Sequence, residues 1–457
     1  MKIVILGAGQ VGSTVAESLL SEANDITVVD IEAARLRDLQ DRLDIRTVLG
    51  SAAHPSVLLD AGIEDCDLMI AVTQSDETNL VACKLAQKLF NVPTRIARLR
   101  ATDYLANERV LGPDCFDVDL AICPEQILTD YIVKLIEFPE ALQVLEFAHG
   151  KVSLVAVRAV HGGPVVGHQL KDIRKHSPSV DARVAAIFRG DSSVVPDGNT
   201  VVEVGDEVFY LAATRDIRQL MHELRGMDKP VKSVMIAGGG NIGLRLARAI
   251  ERDYAVKVLE YSKKRCEILS GRLDRALVLQ GDVTDEGLLE AENVAEMDVF
   301  IAVTNDDENN IMSSLLAKRM GARRVVALIN RRSYVDLLQS GQIDIAISPA
   351  QATIGTLLAH VRHGHVTQVH SLRRGAAEAL EAVVHGDRDS CRCVGRKIEE
   401  IDLPKGATIP AIVRGDEVIM AHHDTVVQAE DHVIVFVTEK KLLPKIEKLF
   451  QVGVGFI

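Results

Sequence analysis

The sequence predicts an α/β protein made of two tandem, doubly wound parallel-sheet lobes, each followed by a small α+β lobe. Three observations support this. Short apolar runs alternate with helix-period stretches, glycines spaced G-x-G-x-x-G follow the first apolar run, and the whole arrangement recurs 231 residues later.

The elements justify themselves in order. KIVIL (from Lys2) precedes VGSTVAESLL, ITVVD precedes EAARLRDLQDRL, DLMIAV precedes ETNLVACKLAQKL, and TRIARL precedes TDYLANERV, with FDVDLAI closing the series. Strand-then-helix alternation of this kind builds a parallel sheet with helices on both faces. A helix is expected from Glu125 to Phe138, stopped at Pro139, with Ile127, Leu128, Tyr131, Ile132, Leu135 and Ile136 on one apolar stripe. Such a stripe covers either its own sheet or a neighbour, and a neighbour is the reading preferred here. The texture then turns β-rich, with VSLVAVRAV, VAAIF and EVFYLAA between Gly, Pro and Asp turns.

The second half repeats this plan. Gly7, Gly9 and Gly12 match Gly238, Gly240 and Gly243; VTQSDETN (from Val72) matches VTNDDENN (from Val303); ICPEQ matches ISPAQ. IFRGDSSVV and TVVEVGDEVFYL also return, as IVRGDEVIM and TVVQAEDHVIVF. Ordered matches mark an internal duplication. The expected units are two Rossmann-like lobes at 1–139 and 232–364 and two small lobes at 140–225 and 365–457, joined by the linker RGMDKPVKS.

Bulk properties narrow the class. A net charge of −13 leaves no broad basic footprint for nucleic acid, and no recognition helix stands out. No apolar run reaches the roughly 20 residues that span a bilayer, and no signal-peptide pattern precedes Lys2. The 7 cysteines are scattered, as reduced cytoplasmic thiols are. His360, His363, His365, His370, His422 and His423 lack carboxylate or thiolate partners at matched spacing, so they read as surface or lobe-junction residues rather than metal ligands.

The chemistry lies in the two loops. The first glycine permits a tight turn, the second lets backbone approach a phosphate, and the third lets helix pack on strand. Gln10, Val11, Asn241 and Ile242 complete the loops. The following helix offers its N–H groups and dipole to an anion. Asp30 and Glu260 end the second strands, where a carboxylate accepts from ribose hydroxyls and repels a 2′-phosphate; NAD(H) or an adenine nucleotide is therefore favoured over NADP. Thr73, Ser75, Glu77 and Asn79, with Thr304, Asp306 and Glu308, fall at the carboxyl edge of each sheet and offer groups for ribose or phosphate. Ser75 and Asp306 also fit helix caps, and the two roles are compatible.

Tandem glycine loops, acidic second strands, V-T-x-x-D-E-x-N segments and β-rich lobes over the whole chain resemble the tandem RCK-domain family, the regulatory proteins of Trk-type potassium uptake. That resemblance implies a non-enzymatic cytoplasmic subunit, peripherally bound to a membrane potassium channel or transporter. It implies a homotetramer whose nucleotide lobes form a ring, and NAD(H) and ATP/ADP as ligands gating the partner. Some related lobes place an Arg between the second and third glycines; here Gln10 and Asn241 stand there. Arg98 and Arg100 are the alternative phosphate-sensing pair, opposite Leu328 and Asn330 in the second half. Gly50-Ser51 matches Gly281-Asp282 in the repeat, so only the second copy has the carboxylate that could accept from an adenine amino group. The competing reading is an NAD-dependent oxidoreductase, but no acid–base constellation accompanies the loops.

Overall fold

The structure, a computed structural model, describes residues 1–451 except 21–23, 164, 173–179, 191, 195, 226–228, 332–333, 335–342, 362–365 and 373–376. Residues 226–228 of the expected linker, the expected boundary at 364/365, and His363 and His365 lie outside the described residues.

In the first half six parallel strands run in the order β3-β2-β1-β4-β5-β6. They are β1 (Lys2–Leu6), β2 (Asp25–Asp30), β3 (Arg46–Leu49), β4 (Leu68–Ala71), β5 (Thr94–Arg98) and β6 (Leu120–Ile122). The helices between them are α1 (Gln10–Leu20), α2 (Ala33–Gln40), α3 (Pro55–Asp60), α4 (Asp76–Phe90), α5 (Thr102–Leu105) and α6 (Glu108–Leu111). The apolar runs do not announce β3, because RTVL is short and no more than half buried. The order reverses between β1 and β4, so their carboxyl ends open a crevice at a switch point.

A crossover helix, α7 (Pro124–Glu137), leads to an antiparallel sheet ordered β10-β9-β11-β8-β7. Its strands are β7 (Ala141–Phe147), β8 (Val152–Arg158), β9 (Ala182–Arg189), β10 (Ser192–Val194) and β11 (Glu207–Ala213), followed by α8 (Ile217–Arg225). The second half repeats both sheets. Its parallel sheet holds β12 (Ser233–Ala237), β13 (Ala255–Glu260), β14 (Leu277–Gln280), β15 (Val299–Ala302), β16 (Arg324–Leu328) and β17 (Ile345–Ile347). Its helices are α9 (Asn241–Ile250), α10 (Lys263–Ser270), α11 (Glu286–Ala291), α12 (Asp307–Met320) and the crossover α13 (Pro349–Val361). The last sheet holds β18 (Val366–Leu372), β19 (Ala377–Val383), β20 (Ala407–Arg414), β21 (Glu417–Met420) and β22 (His432–Val437), before α14 (Leu443–Phe450).

The crossover helices are exchanged between halves. The stripe Leu128, Ile132, Leu135 and Ile136 joins the core built on Val234, Ile236, Leu246 and Ile250 of the second half. Conversely, Leu357, Leu358 and Val361 of α13 join the core holding Val15 and Leu19 of α1. Burying each such aliphatic side chain contributes about 1.5–3 kcal/mol. The expected neighbour of α7 is therefore the other half of the same chain. The two small sheets also meet, where the Ala148 N–H donates to Glu381 Oε2 at 2.7 Å and Lys151 Nζ lies 2.7 Å from Asp416.

Candidate functional site

Both glycine loops adopt the geometry their spacing demands. Gly7 has φ 110° and Gly238 φ 106°, a region that disfavours side chains. A Cβ at Gly12 would sit 1.8 Å from the Gly7 carbonyl oxygen, and one at Gly243 would sit 1.9 Å from that of Gly238. The first and third glycines are thus required by the fold. The middle ones are different: a Cβ at Gly9 would meet only Arg35 Nη1, at 4.0 Å, and one at Gly240 nothing within 4 Å. That opening is where a phosphate can approach backbone. Gln10 and Asn241 are exposed on the first helical turns, whereas Val11 is buried and Ile242 half-buried beneath them.

The acidic residues pin these loops. Asp30 accepts the Ala8 N–H on Oδ2 at 2.6 Å and the Glu32 N–H on Oδ1 at 2.8 Å. Glu260 accepts the Gly239 N–H on Oε2 at 2.9 Å and the Ser262 N–H on Oε1 at 2.8 Å. The second lone pair of each oxygen remains for a ribose hydroxyl.

The segments after β4 and β15 pack against the loops, since a Cβ at Gly7 would lie 3.0 Å from the Thr73 nitrogen. Ser75 Oγ accepts the Thr78 N–H at 3.1 Å and Asp306 Oδ1 the Asn309 N–H at 2.7 Å, so both are helix N-caps. Asn79 needs a correction: it is fully buried, and its amide joins Thr73 to the Arg98 carbonyl, as Asn310 joins Thr304 to that of Leu328. Its amide is thus committed within the chain to shaping the edge. Glu77 and Glu308 are exposed. Their carboxyls sit below the ordinary range, Glu77 through its own N–H and the Ser75 hydroxyl, Glu308 chiefly through the Tyr334 hydroxyl.

Arg98 and Arg100 reach the same edge but face a carboxylate of the chain. Arg98 Nη2 donates to Glu125 Oε1 at 2.7 Å, and Arg100 Nε lies 3.8 Å from the same oxygen. Asp76 accepts the backbone N–H groups of Arg100 and Ala101, each at 2.8 Å, holding this segment on α4. From α9 of the second half, Arg245 donates to the Arg100 carbonyl at 2.6 Å and to Gln126 Oε1 at 2.9 Å. Ser51 accepts a long 3.4 Å bond from the Ala53 N–H. Asp282 turns back to accept the Thr284 N–H and hydroxyl, which lower its pKa, so one of its oxygens is committed within the chain.

An anionic nucleotide fits the residues present. The Nε atoms of Arg98 and Arg100 and the Nη2 of Arg265 are buried with no hydrogen-bond partner, and both middle glycines are open. Arg35 and Arg265 are functional candidates that residue spacing from the glycines does not flag. Aligning the second strands on Asp30 and Glu260, which shifts the repeat to 230, sets them opposite each other. Beside them, Ile31 and Tyr261 are 70% and 76% exposed at the mouth of each loop. A cleft of about 1320 Å³ lies between α7, α13 and the β7–β8 sheet, and no glycine-loop residue lines it. His370 is half-buried at the lobe junction against Phe147, while His360, His422 and His423 are exposed. Among the described residues no group of three or more His, Cys, Asp or Glu is placed to hold a metal. Nor is any described helix long and apolar enough to cross a membrane.

The fold and site define a class: a duplicated chain of Rossmann-like lobes, each coupled to a small antiparallel lobe, with helices exchanged between halves. The TrkA-N domain family matches residues 3–124 and 234–349, and the TrkA-C domain family matches 154–225 and 388–451. Over the full length of both chains the protein is 58% identical to the Trk system potassium uptake protein TrkA of Halomonas elongata. It is 53% identical to that of Vibrio alginolyticus and 47% identical to that of Haemophilus influenzae, again over all of each chain. The chain belongs to the TrkA family of potassium uptake proteins. Its relatives are named for potassium uptake and not for a reaction, so the oxidoreductase reading falls. The fold matches the GsuK RCK domain with a TM-score of 0.63 at 18% identity, covering 98% of this chain and 94% of that one. It also matches the GsuK channel bound to NAD, with a TM-score of 0.62 at 18% identity over 98% and 78% of the two chains.

Proposed function

We propose that this protein is the nucleotide-responsive regulatory subunit of a Trk-type membrane potassium channel or transporter. It works as a homotetramer on the cytoplasmic face and is held there by its partner. Residues 1–139 and 232–364 bind NAD(H) and ATP/ADP, while 140–225 and 365–457 relay the response. Gly7, Gly9, Gly12 and Asp30 hold ligand in the first half, and Gly238, Gly240, Gly243 and Glu260 in the second. Arg98 and Arg100 exchange Glu125 for phosphate.

One observation carries the reading. Each loop keeps an open middle glycine beside a pinned acid, and each loop opens a helix that packs against the crossover helix of the opposite half. A ligand that binds one arrangement of these helices more tightly shifts the chain toward it, and only by that difference. NAD(H) supplies no hydride step here; its phosphates and ribose serve as the recognised groups. GsuK chains bound to NAD and to ADP support the ligand class. In the test, ATP, ADP and NADH are compared for thermal stabilisation of the full chain and for K⁺ flux through vesicles containing the membrane partner. Different responses to the three are expected; identical responses, or none, remove the proposal.

A further inference from the structure

The two loop mouths carry different charge. After Asp30 the first half reads Ile31-Glu32-Ala33-Ala34-Arg35; after Glu260 the second reads Tyr261-Ser262-Lys263-Lys264-Arg265. Arg35 Nη2 lies 2.9 Å from Glu32 Oε1, so that mouth is neutralised internally. Ser262 replaces the glutamate. Lys263 and Lys264 are exposed, and no ion pair engages either among the described residues. Arg265 donates through Nε to the Gly239 carbonyl at 2.6 Å, fixing its guanidinium on the loop while Nη2 stays buried without a partner. Both Glu260 oxygens accept backbone N–H groups, as both Asp30 oxygens do, so the difference in charge lies in the residues after the acids.

We infer that the second loop discriminates adenine nucleotides by phosphate charge, binding the one that carries an additional phosphate more tightly. This rests on the nucleotide-binding reading above. The added phosphate is either the end of a polyphosphate chain or an ester on the adenosine ribose; Lys263, Lys264 and Arg265 can meet either, and for the ester they must outweigh the repulsion of Glu260. Attraction between fixed cations and a multivalent anion grows with the anion's charge, whereas Tyr261 offers a ring face that is indifferent to it.

The test uses the full chain carrying Gly9→Asp, which closes the first loop with a carboxylate in open space. Calorimetry compares adenosine, ADP, ATP, NADH and NADPH on this chain and on K263Q/K264Q and K263Q/K264Q/R265Q versions of it. ATP over ADP, or NADPH over NADH, is expected at the second loop by at least about tenfold at low salt. The double variant is expected to erase most of that ratio while leaving adenosine unchanged, and the triple variant, which also releases the Arg265 bond to the Gly239 carbonyl, to erase the rest. A ratio confined to ATP/ADP assigns the chain phosphate, and one confined to NADPH/NADH the ribose phosphate. Equal affinities across charge, or a uniform loss that includes adenosine, overturn the inference. Absence of binding by every ligand instead removes the nucleotide reading of the second loop. Unchanged melting of the ligand-free variants confirms that each is folded.

Discussion

The two crossover helices occupy equivalent places but are fastened differently. α7 is held at both ends by arginines of the second half: Arg245 bonds Gln126 in its first turn, and Arg324 donates to the carbonyls of Leu135, Phe138, Pro139 and Ala141 at its end. Strand register puts Thr94 opposite Arg324, and the glycine repeat puts Thr14 opposite Arg245. Among the described residues, the junction of α13 with α1 therefore relies on apolar packing without an equivalent arginine clamp. Duplication preserved the loops, the acid pins and the buried asparagines, because each solves a local backbone problem. It let the junctions diverge, because a junction needs burial but not one particular polar partner.

That contrast is sharpest at Arg324. It is 8% exposed, and burial pushes its pKa down to about 10. Arg324→Met is expected to cost about 3–5 kcal/mol, because it strands buried carbonyls around α7. Thr94→Ala should cost less than about 1 kcal/mol. Denaturant melts of both variants decide this, and equal losses would show that the junctions are fastened alike.

Next come the open glycines. Gly9→Asp and Gly240→Asp each set a carboxylate where phosphate approaches, at positions with room for a side chain. Like-charge juxtaposition costs several kcal/mol, so each is expected to lower nucleotide affinity about 100-fold or more in its own half. Melting without nucleotide should not change. A loss shared equally by both halves would show that the sites act as one.

Arg245→Gln should cost about 1.5–3 kcal/mol through its charged hydrogen bonds. It should also weaken the effect of a nucleotide at one loop on affinity at the other, measured in both directions because linkage is reciprocal. Unchanged coupling would exclude Arg245 from communication between halves. The smallest effect belongs to the caps: Ser75→Ala and Asp306→Ala should each lose about 1 kcal/mol, equally, as duplicates of one device.

Much of the site was legible. The glycine spacing required an open middle position, and the acid about 20 residues on fell beside it, because both follow from strand-to-helix geometry within one βαβ unit. Arg98 ends β5 with Arg100 just beyond it, as the run TRIARLR implies, yet the partner Glu125 is 27 residues from Arg98 and is aimed by α7. Asn79 offered the polarity of a ligand group but is buried by two carbonyls that only the assembled sheet brings to it.

Duplication, the alternation of strands and helices, and the turns that need glycine are all written in the local sequence. These are short-range matters of side-chain period and backbone sterics. Tertiary structure alone decided which half each crossover helix covers and which arginines hold it. Those choices depend on complementary apolar faces and on buried carbonyls more than a hundred residues away, and no local pattern encodes them.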